Sequence, residues 1–302
     1  MEQLKNFYQG KQVLVTGGAG FIGSHLVEKL VSLEAKVTVL DNFSSGSISN
    51  LKNVLAQINL NYADVSIPYV CAKATQGKDI VFHLAALVSV PQSLQFPEIC
   101  HKINVFGTQN ILDGCVNSNI KSFIFSSSCA VYGNKSNPCK EDDEAMPLSP
   151  YAKSKLDAEQ LCKKYASDFG LNAVSLRYFN VYGDRQKIDH EYAAVVAKFR
   201  HNLENKLPIT IFGDGYQTRD FVHVSEVVDA NLKIGAPDNL HGYVINVASG
   251  KSISILELIK KLEKEVGQKA VEITFQPARV GDITYSTANC EKLKRLMQAS
   301  QI

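Results

Sequence analysis

Thr16-Gly17-Gly18-Ala19-Gly20-Phe21-Ile22-Gly23 joins an apolar run, Lys11–Thr16, to a segment with apolar residues at Ile22, Leu26, Leu30 and Val31. The first reads as a buried strand and the second as a helix. Glycine permits a tight strand-to-helix reversal and lets the main chain approach a ligand with no Cβ in between. The helix opened by such a turn presents unpaired N–H groups and a partial positive charge. Gly17, Gly20 and Gly23, with Phe21 and Ile22 between them, therefore form a candidate phosphate-binding turn.

The rest of the chain keeps the same rhythm. Lys36–Leu40, Ile80–Leu84, Ser122–Ser126 and Ala173–Tyr178 read as strands, and Ile99–Asn117 and Ser149–Phe169 as helices. Alternation of this kind predicts βαβ units, hence a Rossmann-type α/β fold with a doubly wound parallel sheet. After Asn180 the pattern loosens: Tyr192–Asn202, Val224–Ile234, Ile255–Val266 and a stretch from about Cys290 read as helices. Ile209–Phe212, Tyr243–Val247 and Val271–Phe275 read as strands. At ~150 residues per domain, 302 residues make about two. Residues 1–178 are expected to form the dinucleotide-binding domain. Residues 179–302 are expected to form a smaller α/β substrate lobe, with parts of 217–248 returning to the first.

Eighteen residues past Gly23, the second strand ends at Asp41. A carboxylate there can accept both ribose hydroxyls of an adenosine and repels a 2′-phosphate. Asn42-Phe43-Ser44-Ser45-Gly46 holds no Arg or Lys to welcome that phosphate, so NAD is favoured over NADP. Asp64-Val65 ends a candidate third strand and could face the adenine; a solvated loop carboxylate is the other reading.

Composition removes several alternatives. Thirty-two Lys and Arg against thirty Asp and Glu leave a formal charge of +2, no footprint for nucleic acid or an anionic membrane surface. The longest apolar candidate, Val81–Val90, is broken by His83 and Ser89, well short of the ~18 residues of a spanning helix. No signal-peptide pattern opens the chain, and the seven cysteines are scattered without zinc spacing. A cytoplasmic protein with reduced thiols and no metal is expected.

Tyr151 and Lys155 lie four apart on a predicted helix and so share a face. A free phenol ionises near ~10. A neighbouring ammonium, and a cationic nicotinamide, would favour its phenolate, which makes Tyr151 a candidate general base. Ser126-Ser127-Ser128 falls at the C-terminal end of a predicted parallel strand, where open α/β sheets bind ligands. Ser128 could hydrogen-bond the same reacting oxygen, while a turn or helix cap is an open reading for Ser126 and Ser127.

With these residues the chain resembles the extended short-chain dehydrogenase/reductase family, and within it the NAD-dependent nucleotide-sugar 4-epimerases of UDP-glucose and UDP-N-acetylglucosamine type. The matching stretches are TGGAGFIGS (16–24), LDNFSSG (40–46), HLAA (83–86), NVFGTQN (104–110), SSSCAVYG (126–133), SPYAKSK (149–155), LRYFNVYG (176–183), TRDFVHV (218–224) and RVGDI (279–283). The resemblance implies tightly held NAD, Tyr151 as base, Lys155 as its electrostatic partner and ribose anchor, and Ser128 as hydrogen-bonding partner. It extends the cofactor site to Asn42, Ser45, Gly46, Asp64, Val65, Leu84, Ala85, Ala86, Asn104 and Phe179. It assigns the UDP-sugar to Ser89, Asn180, Ala194, Val195, Phe212, Arg219, Arg279, Asp282 and Ser286, with the two arginines on the diphosphate.

In relatives restricted to non-acetylated sugars a tyrosine fills the position seven past the second arginine. Here that position is Ser286, with Tyr285 as the alternative gate. A small gate implies UDP-GlcNAc/UDP-GalNAc, with UDP-Glc/UDP-Gal also accepted. The acidic pair of a 4,6-dehydratase is missing at Ser128-Cys129, as is the glutamate of a UDP-glucuronate decarboxylase. Those two activities, and a non-catalytic NAD-binding sensor, stand as alternatives. The resemblance also implies a homodimer through a four-helix bundle built on helices near 100–117 and 151–169.

Overall fold

Strand runs such as QVLVT, KVTVLD and IVFH are apolar on both faces, which is what a parallel sheet covered on both sides requires. A computed structural model describes residues 2–187, 195–236, 239–278 and 283–299. Its strands are β1 (Gln12–Thr16), β2 (Lys36–Asp41), β3 (Asn59–Tyr62), β4 (Ile80–His83), β5 (Ser122–Ser128), β6 (Ala173–Tyr178), β7 (Asn180–Tyr182), β8 (Ile209–Phe212), β9 (Thr218–His223), β10 (Val244–Val247), β11 (Ser252–Ser254) and β12 (Ile273–Gln276). Its helices are α1 (Glu2–Tyr8), α2 (Phe21–Ser32), α3 (Pro68–Thr75), α4 (Val90–Gln95), α5 (Pro97–His101), α6 (Gly107–Asn117), α7 (Pro150–Phe169), α8 (Val195–Glu204), α9 (Val224–Gly235), α10 (Ile255–Val266) and α11 (Glu291–Ala299).

Seven strands form one sheet in the order β10-β6-β5-β4-β1-β2-β3, and every pairing in it is parallel. Side chains alternate across it. Val13, Val15, Val39, Phe82 and Ile245 pack with α2 and α9, while Leu14, Leu40, Val81, Phe123 and Phe125 pack with α3, α6 and α7. This is the doubly wound Rossmann-type architecture. Its strand order reverses between β1 and β4, and the crevice outside the carboxyl ends of those strands is where such sheets bind ligands. A second core gathers Phe199 and Leu203 of α8, Ile209 and Ile211 of β8, and Leu258, Ile259 and Leu262 of α10. Two small sheets, β11-β9-β7 and β12-β8, belong to this part of the chain.

Several elements differ from expectation. The helix expected over Ile99–Asn117 begins at Pro97 and widens into a π turn at Lys102–Phe106 before α6. The third strand ends at Tyr62, not at Asp64. The Asp64 carboxylate accepts from the Ser66 N–H at 2.8 Å and turns the chain away from the sheet. Among the described residues no helix is long and apolar enough to cross a membrane, and no cluster of His, Cys, Asp or Glu could hold a metal. All seven cysteines are free thiols, six of them buried.

Candidate active site

At the end of β1, Gly17 adopts φ +69°, and a Cβ on it would lie 2.6 Å from the Ala85 nitrogen. A Cβ on Gly23 would lie 2.2 Å from the Gly17 carbonyl oxygen. Neither position admits a side chain, so the turn closes against β4 and α2 packs on it. Gly20 is the N-cap of α2, and no side chain caps that helix. Phe21 and Ile22 open its first turn, where N–H groups have no partner within the helix.

Asp41, at the carboxyl end of β2, is held in place by backbone donors. Its carboxylate accepts from Ala19 N at 2.9 Å and from Phe43 N at 2.8 Å. Gly46 packs on Ala19, with room for no Cβ (2.9 Å), while Ser45 is exposed. Asn42 donates its amide to Asp64 at 2.8 Å. Burial works against the charged form of Asp64, but hydrogen bonds from Ser66 and Asn42 outweigh it and hold the carboxyl below its usual range. Val65 turns its side chain into the core, against Gly107. Leu84 and Ala85 are tied by their N–H groups to Thr16, and Ala86 follows, half-buried. An uncapped helix start, glycines packed too closely for any side chain, and an anchored carboxylate one strand away are the groups a dinucleotide needs.

The catalytic candidates sit on α7, whose ends are written in the sequence. Ser149 caps it by accepting from Ala152 N at 3.1 Å, Pro150 takes the first position, and Gly170 ends it at φ +66°. The Tyr151 N–H donates to Ser93 at 3.1 Å. Ser154 donates to the Tyr151 carbonyl at 2.7 Å and accepts from Asn104 at 2.9 Å, so Asn104 stands behind the catalytic turn. The Ser128 hydroxyl hydrogen-bonds the Tyr151 phenol.

The expectation is that Lys155 and a bound nicotinamide together favour the phenolate. Among the protein's own groups burial dominates and pushes Tyr151 up to about 12, with the Ser128 hydrogen bond acting the other way. Lys155 is 2% exposed, and its ammonium donates to the Ser126 carbonyl at 2.8 Å and lies 4.9 Å over the Phe125 ring. Burial lowers it to about 8. Burial thus disfavours the charged form of both groups.

Ser128 opens onto a cavity of about 250 Å³, walled also by Cys129, Leu148, Ser149, Phe179, Asn180, Arg219, Ile283 and Ser286. Asn180 donates to the Asp220 carbonyl at 3.0 Å and reaches Ser286 Oγ at 3.4 Å. Ser286 is buried, whereas Tyr285 is 49% exposed and absent from the wall. Among the described residues the wall carries no carboxylate. The structure thus brings Ser128, Phe179, Asn180, Arg219 and Ser286 together, although they are spread over residues 128–286. Ser89 caps α4 next to Val90, which lines the cavity, and Tyr151, Val195 and Phe212 are themselves outside this wall. Ala194, Arg279 and Asp282 fall outside the described residues. Cys129 and Leu148 had no assigned role; the signal available for Cys129 was its place beside Ser128.

A sequence model of the NAD dependent epimerase/dehydratase family matches residues 13–248. A putative UDP-glucose 4-epimerase of Methanocaldococcus jannaschii is 38% identical over 90% of this chain and 87% of its own. Among solved structures, the UDP-N-acetylglucosamine 4-epimerase of Methanobrevibacter ruminantium in complex with UDP-N-acetylmuramic acid superposes with a TM-score of 0.91 at 40% identity, over 95% of this chain and 92% of that one. The Thermus thermophilus UDP-glucose 4-epimerase complex with NAD gives 0.87 at 32% identity, over 96% and 94%. The chain belongs to the NAD-dependent epimerase/dehydratase family. Its cofactor is NAD, and the turn at Gly17–Gly23 with Asp41 fits that group.

Proposed function

We propose that this protein is a UDP-sugar 4-epimerase whose preferred pair is UDP-GlcNAc and UDP-GalNAc, with UDP-Glc and UDP-Gal as further substrates. The observation that carries this reading is Ser128, hydrogen-bonded to the Tyr151 phenol, opening on a cavity whose wall includes the small, buried Ser286. The relatives named above support the activity, and the M. ruminantium enzyme supports the acetylated sugar.

Residues 1–178 hold the cofactor and residues 179–302 the sugar nucleotide, with parts of 217–248 returning to the first lobe. Bound NAD supplies the redox chemistry at the sugar C4. Tyr151 takes the proton of the 4-hydroxyl and later returns it, with Ser128 sharing the same oxygen. Lys155, in its charged form, anchors the nicotinamide ribose and favours the phenolate. Arg219, with Arg279, neutralises the diphosphate. Asn180 and the wall at Ser286 hold the hexose between the two proton transfers, one from its 4-hydroxyl and one back to it. Asp41 with Asn42, and Asp64, orient the adenosine.

A dehydratase or a decarboxylase needs an acid or base at a neighbouring carbon. Where the resemblance would place that group this chain has Ser128-Cys129, and among the described residues the cavity wall carries no carboxylate. One relative, of Bacillus cytotoxicus, is a UDP-N-acetyl-alpha-D-glucosaminuronate decarboxylase at 33% identity, so decarboxylation of a UDP-uronate is the alternative to test. Separating the products from UDP-GlcNAc, UDP-Glc and UDP-GlcA is expected to yield 4-epimers of the first two and no carbon dioxide from the third. Decarboxylation of UDP-GlcA as the fastest reaction would overturn the reading.

Ser286→Tyr is expected to lower turnover of UDP-GlcNAc at least about tenfold while sparing UDP-Gal, since an overfilled close-fitting pocket costs about 1–3 kcal/mol. Unchanged UDP-GlcNAc turnover would remove Ser286 as the gate. The enzyme is also proposed to form a homodimer through a four-helix bundle. Ile99 and Phe106 support this, each about half-exposed on the helices concerned (50% and 51%). Sedimentation is expected to give twice the chain mass, and a monomer at micromolar concentration would contradict it.

A further inference from the structure

His83 stands at the end of β4, 1% exposed, with the Phe123 and Phe125 rings of β5 about 6 Å away (5.9 and 6.0 Å between ring centres). Nothing in the chemistry described above uses it. Both of its ring nitrogens are nevertheless engaged. Nδ1 meets Thr16 Oγ1 at 2.7 Å, and Nε2 meets Thr108 Oγ1 at 3.0 Å.

The proton positions follow from counting donors. Thr108 has one hydroxyl proton and gives it to the Asn104 carbonyl at 2.6 Å, because a carbonyl can only accept. Its oxygen must then accept from His83 Nε2–H. Thr16 Oγ1 accepts from the Ala85 N–H at 3.2 Å and keeps its own proton for Nδ1. The chain therefore runs in one direction, from Ala85 through Thr16, His83 and Thr108 to Asn104. It holds together when the ring is neutral with the proton on Nε2. Burial among the rings and the nearby Lys155 ammonium both disfavour the imidazolium and lower His83 to about 3.

The two ends of this chain lie on the two halves of the active site. Ala85 packs against Gly17 of the phosphate turn. Asn104 sits in the π turn of Lys102–Phe106, its amide nitrogen bonded to Ser154, which in turn bonds the Tyr151 carbonyl. Irregular turns of this kind recur at functional sites. We propose that His83 is a positioning residue that fixes the cofactor turn and the catalytic tyrosine relative to each other through a single neutral Nε2–H tautomer. The inference rests on the epimerase reading for its kinetic arm only; the tautomer arm does not depend on the substrate.

Two measurements on the NAD-loaded protein test it. Nitrogen-15 NMR of the imidazole, assigned by comparison with His83→Gln, is expected to show one neutral Nε2–H form, unchanged from pH 6 to 9. An imidazolium, the Nδ1–H form or a mixture of the two would overturn the proposal whatever the enzyme acts on. In His83→Gln the amide nitrogen can occupy the Nε2 place and donate to Thr108, whereas in His83→Leu both bonds are lost. Leucine is expected to lower kcat at least about tenfold with KM moved less than twofold, and glutamine to recover most of that loss. A leucine variant with normal kcat, or equal losses in both variants, would overturn it. If the leucine variant does not fold, the tautomer measurement on the unaltered protein still decides.

Discussion

Tyr151→Phe is expected to lower turnover about 10³-fold while leaving the fold and the NAD content unchanged. General acid–base catalysis by a positioned side chain contributes roughly 10²–10⁴-fold, and here one phenol serves both directions of the proton transfer. A factor of 10³ corresponds to about 4 kcal/mol of barrier. Phenylalanine keeps the ring and the helix cap at Ser149, and removes only the hydroxyl that Ser128 bonds. Loss of activity with NAD content intact assigns the effect to chemistry. Turnover within threefold of the parent would leave the proposed base without a role.

The second large effect concerns stability. Arg177 on β6 and Glu159 on α7 are buried at 3% and 0% exposure. The guanidinium donates twice to the carboxylate, Nε at 2.9 Å and Nη2 at 2.7 Å, and lies 4.5 Å over the Tyr132 ring. Ser127 adds a third donor to Glu159 at 2.5 Å. Glu159 is one turn beyond Lys155, so the pair also fastens the catalytic helix to the sheet. Arg177→Met leaves a carboxylate buried without its counter-charge and is expected to cost about 3–5 kcal/mol of unfolding free energy. The double variant with Glu159→Leu is expected to recover much of that loss, because two apolar residues leave no charge unpaired. Chemical denaturation at constant m-value reads both. A single variant within about 1 kcal/mol of the parent would mean that water or another cation reaches Glu159.

Local chemistry made half of the site legible in the sequence. The phosphate turn needs only glycines between a strand and a helix, and Asp41 follows from where β2 ends. The helix of Tyr151 and Lys155, read over Ser149–Phe169, runs from Pro150 to Phe169. The misses have physical causes. β3 has no buried residue and lacks an apolar run, so its end was expected at Asp64-Val65 rather than at Tyr62. The π turn at Lys102–Phe106 leaves no mark in a helical pattern. The cavity unites Ser128 with Asn180, Arg219 and Ser286, and a pairing such as Asn180–Ser286, 106 residues apart, is set by topology alone. Spacing on a helix reports proximity to Lys155 but not how far water is excluded from the phenol, and that burial pushes Tyr151 up. His83 carried a signal, a titratable residue inside an apolar strand, that found its meaning only once both ring nitrogens had partners.

Isotope retention tests the central claim most directly. UDP-GlcNAc labelled with deuterium at C4 is incubated with the enzyme in ordinary water until the epimers equilibrate, and both are analysed by mass and NMR. Reversible oxidation at C4 within a closed site, with Tyr151 moving only the hydroxyl proton, predicts that the deuterium stays at C4 in both epimers and that no solvent hydrogen enters the ring. Loss of the C4 label to water, or exchange at C5, would contradict it.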